Sequence, residues 1–352
     1  MATISNDIFS QRLRQARLMR GLSLERLSQA LGALVTRQAI NKYEKGLMMP
    51  DSRVLIALAE ALNVKIDYFF RPFTVEVDKV EFRKKSGFTK KMAATIKERV
   101  REELERYLEI EQLSGITVDF CLPHKEVKTI DEAMKFATEI RGLLGLGNDG
   151  ISNVTEVLED NGIKVIELTE NNSFDGLSGY ANGKIPLIVI NGNYPTERKR
   201  FTALHELGHL LLDIPGDVPA KTMESICNAF ASEMLLPLNV LITKIGHKRH
   251  DISLSELTDL QKQFGISIDD IMVSLCEHDV ITDRRYSGFQ KKKSLIPSFQ
   301  VLVEKSRVKP EQSGRFARMV YHALADESIT FSKAATLLNT SIDRIKSDLQ
   351  LV

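Results

Sequence analysis

Two histidines four residues apart, in His205-Glu206-Leu207-Gly208-His209, constrain this chain more than any other stretch. On a helix, residues four apart lie one above the other, so both imidazoles project from one face with Glu206 beside them. Such a face can hold a metal ion. Zinc takes neutral imidazole nitrogens, keeps a position open for water in a catalytic site and lowers that water's pKa, so that a neighbouring carboxylate can accept its proton. Leu204, Leu207, Leu211 and Leu212 follow helical spacing around the pair and predict a helix buried in a core. Five residues equally suit a buried helix with two ordinary histidines, so the metal reading requires a third ligand and a scaffold.

At 352 residues the chain is too long for one ordinary core, which predicts two or three domains. With 43% hydrophobic and 27% charged residues, the composition is that of a soluble globular protein. The N-terminus is polar and no apolar run approaches membrane-spanning length, so neither a secretion signal nor a membrane partner is expected. A net charge of +1 excludes a general attraction to nucleic acid, and any such binding must come from a local patch. Cys121, Cys227 and Cys276 form no Cys-x-x-Cys pair, which argues against a disulfide framework and suits a reducing cytoplasm.

Residues 8–70 read as a compact helical bundle. The first helix stops at Gly21. Ser23 caps a second over Leu24–Leu31, Thr36 caps a third over Arg37–Lys45, Pro50 and Asp51 open a fourth over Ser52–Leu62, and a short fifth lies around Asp67–Phe70. A capped helix, a tight turn and a short polar helix form the layout of a helix-turn-helix DNA reader, whose second helix enters the major groove. Arg12, Arg17, Gly21-Leu-Ser-Leu-Glu-Arg-Leu-Ser28, Thr36-Arg-Gln-Ala-Ile40, Tyr43-Glu-Lys-Gly46 and Pro50 resemble the Xre/Cro-type repressor family over roughly sixty positions. The resemblance implies that Arg37, Gln38, Asn41 and Lys42 read bases of double-stranded operator DNA. Their chemistry agrees, since Arg or Lys pairs with guanine and Asn or Gln with adenine, while Thr36 suits a phosphate. Over residues 1–72, 11 Lys and Arg against 6 Asp and Glu leave a local charge of +5.

From Val75 to Leu113 the chain is highly charged, with Lys79, Arg83, Lys84, Lys85, Lys90 and Lys91 leading into a helix over Thr95–Ile110. Ile96, Val100, Leu104, Tyr107, Leu108 and Ile110 make one apolar stripe on it. The stripe suits packing on a neighbouring element or, in a homodimer, pairing with a second copy.

Residues 130–191 read as the front of an α+β domain. Helices around Asp131–Leu144 and Ile151–Asn161 precede strands over Ile163–Thr169, Asp175–Tyr180 and Pro186–Asn191, the last two joined through an Asn182-Gly183 turn. An edge strand beside the metal helix would hold an extended peptide by main-chain pairing. The third ligand is expected from the next helix, Thr222–Pro237, which offers Glu224 and Glu233. They are nine residues apart and so on opposite faces, and only one can meet the metal. Asn228 lies four past Glu224, placed to hydrogen-bond a ligand's second nitrogen or oxygen.

Asp175-Gly-x-Ser-Gly, Ile188-Val-Ile-Asn191, Arg200-Phe-Thr-x-x-His-Glu-x-Gly-His209, Glu224-x-x-x-Asn228-x-Phe-Ala231 and Leu235-Leu-Pro237 resemble, in order, the ImmA/IrrE family of zinc metallopeptidases. The resemblance implies His205, His209 and Glu224 as zinc ligands and Glu206 as the general base. Cys227 departs from the family, which usually has Ala there. A small buried thiol is compatible with that packing and is also able to coordinate a metal.

Ser253–Leu275 reads as two short helices around Gly265, with a packing or interdomain role, because Asp269-Asp270 opposes phosphate. The last segment begins basic, with 10 Lys and Arg against 3 Asp and Glu over residues 282–320, and becomes helical. A second DNA contact, a lid or a dimer surface would each suit it.

The expected fold class is multidomain and mainly α. Residues 1–72 form the Xre-type bundle and 73–115 a charged helical connector. Residues 116–282 form the central α+β zincin-like metallopeptidase domain, and 283–352 a small helical C-terminal domain. The expected function is a cytoplasmic regulator that binds an operator and carries a site-specific zinc endopeptidase, cutting itself or a partner repressor. The alternative is a repressor or antitoxin whose zinc domain senses a ligand or metal without proteolysis.

Overall fold

The computed structural model describes residues 2–32, 34–82, 89–169 and 174–350, leaving aside the side chains of 2–6, 78–82 and 350. Arg83, Lys84 and Lys85, and the side chain of Lys79, therefore lie outside the described residues. The first unit is a bundle of α1 (Ala2–Met19), α2 (Leu24–Ala30), α3 (Arg37–Glu44), α4 (Ser52–Leu62) and a 3-10 turn over Ile66–Phe70. Its helix starts are fixed by side chains that accept otherwise orphaned amides: Ser23 from Arg26, Thr36 from Ala39 and Asp51 from Val54. Phe9, Leu13, Leu27, Ile40, Leu58, Leu62 and Phe69 fill its core.

The segment expected as a connector does more than connect. Val77–Phe82 is a strand, β1, and α5 (Lys90–Ser114) divides its apolar stripe between two partners. Ile96, Val100 and Leu104 pack on one face of the central sheet. Tyr107 and Ile110 pack on the last three helices of the chain. Most of the stripe is thus buried within one chain. A third partner is the bundle, because the fully buried Arg12 of α1 reaches Glu105 of α5 at 2.7 Å.

The α+β part comprises β2 (Lys125–Glu126), α6 (Ile130–Leu143), α7 (Val154–Asp160), β3 (Lys164–Leu168), β4 (Gly176–Ala181), β5 (Ile185–Asn191), α8 (Thr196–Leu211), β6 (Leu212–Asp213), α9 (Ala220–Leu235), α10 (Leu238–Ile245), α11 (Leu254–Phe264) and α12 (Ile268–Glu277). The sheet order is β1-β4-β5-β3, with β3 parallel to β5 and the other pairs antiparallel. Asn182 and Gly183, both at positive φ, make the β4–β5 turn. Helix α8 covers one face of the sheet and α5 the other, while α6 and α9 pack together beyond α8. No single described helix is long and apolar enough to cross a membrane; α9 and α10 are apolar because they line the core.

The C-terminal segment is not one unit. Helices α13 (Asp283–Leu295) and α14 (Pro297–Glu304) join the α+β core through Phe289 and Val303. Helices α15 (Arg315–Ala325), α16 (Phe331–Leu337) and α17 (Ile342–Gln350) pack instead on the end of α5. Between them, Ser306 and Arg307 bond Glu197 of α8, and Glu311 pairs with Arg200 and accepts from the Val154 amide. The basic residues of this stretch are partly spent on internal ion pairs, as where Lys293 meets Asp269 at 2.7 Å.

Candidate metal centre and recognition helix

Glu206 is held from the sheet side. Ser178 of β4 donates to its Oε2 at 2.8 Å, and the carboxylate is almost wholly buried. This proximity requires a glycine at 176, since a Cβ there would stand 2.5 Å from Thr202 Cγ2 and 3.2 Å from Glu206 Oε1. Other motif residues build the frame. Arg198 pairs with Asp175, Asn191 ties the end of β5 to the Phe174 carbonyl, and Arg200 reaches the Ile151 and Phe264 carbonyls.

Beside Glu206 on α8, the Nε2 atoms of His205 and His209 face each other at 2.9 Å. The half-buried Glu224 of α9 places one carboxylate oxygen 3.7 Å from His205 Nε2 and the other 3.8 Å from His209 Nε2. Zinc bonds of about 2.0–2.1 Å at tetrahedral angles separate ligand atoms by about 3.3 Å, inside this range. The two neutral imidazoles and one carboxylate therefore fit the ion. His205 is fully buried, stacked beside Phe201 at 6.5 Å between ring centroids.

Cys227 occupies the place that sequence reasoning reserved for Asn228. Its Sγ lies 3.6 Å from His209 Nδ1, the ring nitrogen turned away from His205, whereas Asn228 is exposed. Glu224 sits at the rim of α9, so a step of three residues rolls inward and a step of four rolls outward. The signal for this was Gly208, where α9 comes so close that an added Cβ would touch Phe230 and Cys227 at 3.4–3.5 Å. The thiol also falls within 4.8 Å of both histidines as a potential ligand atom. One imidazole nitrogen cannot serve both, and with Nε2 turned to His205 and Glu224 the geometry makes Cys227 a partner of Nδ1. Glu233 is remote from the cluster. It accepts from the Leu238 amide at 2.9 Å and from Thr138 at 3.2 Å, closing the α9–α10 corner, and burial pushes its carboxyl above the ordinary range.

In the bundle, α3 is locked from behind. Arg17 grips Glu44 through two hydrogen bonds, and Ser28 ties α2 to the Val35 carbonyl at 2.6 Å. Arg37, Gln38 and Lys42 are exposed and Asn41 is half-buried, while Ile40 and Tyr43 face the core. Thr36 is exposed at the cap. Arg12 is not part of that surface: its guanidinium lies over the Phe73 ring at 3.9 Å and bonds the Arg71 and Pro72 carbonyls.

Residues 13–69 match the helix-turn-helix family model, and residues 158–271 match the IrrE N-terminal-like domain of the M78 peptidases. A prophage-derived HTH-type transcriptional regulator of Bacillus subtilis is 34% identical over 71 residues, which are 20% of this chain and 64% of that protein. An HTH-type transcriptional regulator of Rickettsia prowazekii is 37% identical over 65 residues, 18% of this chain and 48% of its own. One from Rhizobium meliloti is 41% identical over 59 residues, 17% and 41% respectively. The chain thus spans less than two thirds of the length of these relatives. It joins a helix-turn-helix domain, of the kind these regulators carry, to an IrrE-like domain of the M78 peptidase family.

Proposed function

We propose that the protein is a cytoplasmic DNA-binding transcriptional regulator whose IrrE-like domain is a zinc-dependent endopeptidase, acting on itself or on a partner regulatory protein. The observation that carries the reading is the convergence of His205 and His209, on the same helix as a buried Glu206, with Glu224 of α9, each histidine Nε2 lying within 3.8 Å of one Glu224 oxygen. The two Nε2 atoms and the Glu224 carboxylate would hold the ion. Bound zinc supplies a Lewis acid for water and for a scissile carbonyl. Glu206, oriented by Ser178, would take the proton of the attacking water and return it to the leaving nitrogen. The leucines around α8 exclude bulk solvent, which strengthens each of these charge interactions. On the other domain, Arg37, Gln38, Asn41 and Lys42 would meet base edges of operator DNA, with Thr36 against a phosphate.

The test is Glu206→Gln. Glutamine keeps the size and the Ser178 contact but accepts no proton, so zinc content and operator binding should persist. Cleavage of candidate repressors, or of the chain itself, should fall by about two to four orders of magnitude. Derepression equal to that of the parent, with no proteolytic fragment from either protein, would favour a sensor domain without proteolysis.

A further inference from the structure

We infer that β1 is an intramolecular occupant of the peptide-docking edge beside the metal cluster, and that the site opens to another peptide only when the second half of β1 leaves β4. This rests on the peptidase reading above. Strand β4 is the one that touches the reacting carboxylate, with Gly176 packed against Thr202 and Glu206, and Ser178 bonded to Glu206. Its inner edge pairs with β5, so the outer edge is where an extended peptide would add, antiparallel, by main-chain hydrogen bonds. The chain's own β1 already lies there. Val77 faces Ala181 and Asp78 faces Tyr180, and after a break in register Glu81 faces Ser178 and Phe82 faces Leu177.

The two halves of β1 are held unequally. The first is anchored, since Val75 and Val77 are buried against α5 and the sheet. Glu76 also exchanges two bonds with Asn182 at 2.8 Å, through its carbonyl and its amide. The second half begins beyond the irregularity between Asp78 and Glu81, and an edge strand interrupted in this way pairs less firmly. It is this half that lies opposite Ser178. Release there exposes the edge beside Glu206 while the anchor stays in place. The grip of the DNA-binding bundle falls just before β1, where Arg12 holds the Arg71 and Pro72 carbonyls and Arg71 pairs with Glu102. A displacement of the bundle therefore pulls on the strand that closes the site.

The experiment uses the full chain, zinc-loaded and carrying Glu206→Gln so that nothing is cut. A fluorescein-labelled synthetic peptide with the sequence of residues 76–82 is titrated against it, with and without Glu81→Pro, which removes a ladder amide opposite Ser178. Freed from an intramolecular competitor, the Glu81→Pro protein should bind the peptide at least about tenfold more tightly. Equal affinity overturns the inference. If Glu81→Pro does not melt cooperatively, Glu81→Gly, which only weakens the ladder, is read in the same way. The same pair with Glu206 intact is then tested on denatured casein. Tighter peptide binding without cleavage by either protein keeps the strand inference and defeats the peptidase reading. Equal cleavage by both does the reverse.

Discussion

Helix α3 shows its chemistry to solvent and buries only Ile40 and Tyr43, whereas α8 is buried along nearly its whole length, with His205 and Glu206 inside. The first needs little beyond a cap and one ion pair behind it. The second works only as part of an assembly, because Gly176 and Ser178 come from a strand and Glu224 and Cys227 from another helix. A surface reader can therefore be altered without touching its fold. A buried site shares its side chains with the core, so loss of function and loss of stability are linked there.

The largest effect that tests this contrast is on metal content. His205→Ala with His209→Ala removes two of three candidate ligands, and zinc measured by atomic emission after dialysis should fall from one per chain to background. The melting temperature should fall with it, since a ligand that binds only the folded state stabilises that state. Operator affinity in a gel shift should stay at the parent's value. Stoichiometric zinc in the double variant would end the metal assignment.

Two arginines of the same bundle should behave oppositely. Arg12→Ala leaves the buried Glu105 carboxylate to Arg71 alone and should lower unfolding free energy by about 3 kcal/mol, the lower end of the usual effect of breaking a buried pair. Arg37→Ala should leave the denaturation curve unchanged and weaken specific operator binding by about 1–3 kcal/mol. If Arg12→Ala is neutral in urea while Arg37→Ala unfolds the bundle, the contrast between buried and exposed basic residues is misdrawn.

What was legible in the sequence follows from the range of the interactions. Caps at Ser23 and Thr36 act over three residues, and the Asn182-Gly183 turn is a two-residue device, so each can be read locally. The pairing of His205 with His209 also lies within one helical turn. Strand β1 was hidden because its partner β4 follows about a hundred residues later, and a short strand beside a charged run carries no periodicity of its own. Arg12 read as one more basic residue of the bundle because Glu105 is 93 positions away. The choice of Cys227 over Asn228 depends on how α9 is rolled against Gly208, which no spacing within α9 reveals.

The smallest effect separates the two acidic residues of α9. Glu233 is buried, and desolvation raises its pKa despite the bonds from Leu238 and Thr138 and the charge of Arg141. A carboxyl whose folded pKa lies above its unfolded one binds its proton more tightly in the folded chain. Its stabilising contribution is complete below the unfolded pKa and is lost as pH rises through the folded one. As pH rises through that folded pKa, Glu233 therefore weakens the fold relative to acid conditions. Glu233→Gln keeps an oxygen for the Leu238 amide and carries no charge, so unfolding free energy at pH 7 should shift by no more than about 1 kcal/mol, the worth of one hydrogen bond. The difference between parent and variant should change with pH in the sense that the parent gains relative stability on acidification. Zinc should remain stoichiometric, in contrast to Glu224→Gln, which weakens the third ligand. Zinc loss from Glu233→Gln would reassign Glu233 from the α9–α10 corner to the metal centre, and stability profiles of parent and variant that stay parallel as pH rises from acid would show that burial does not raise its carboxyl pKa.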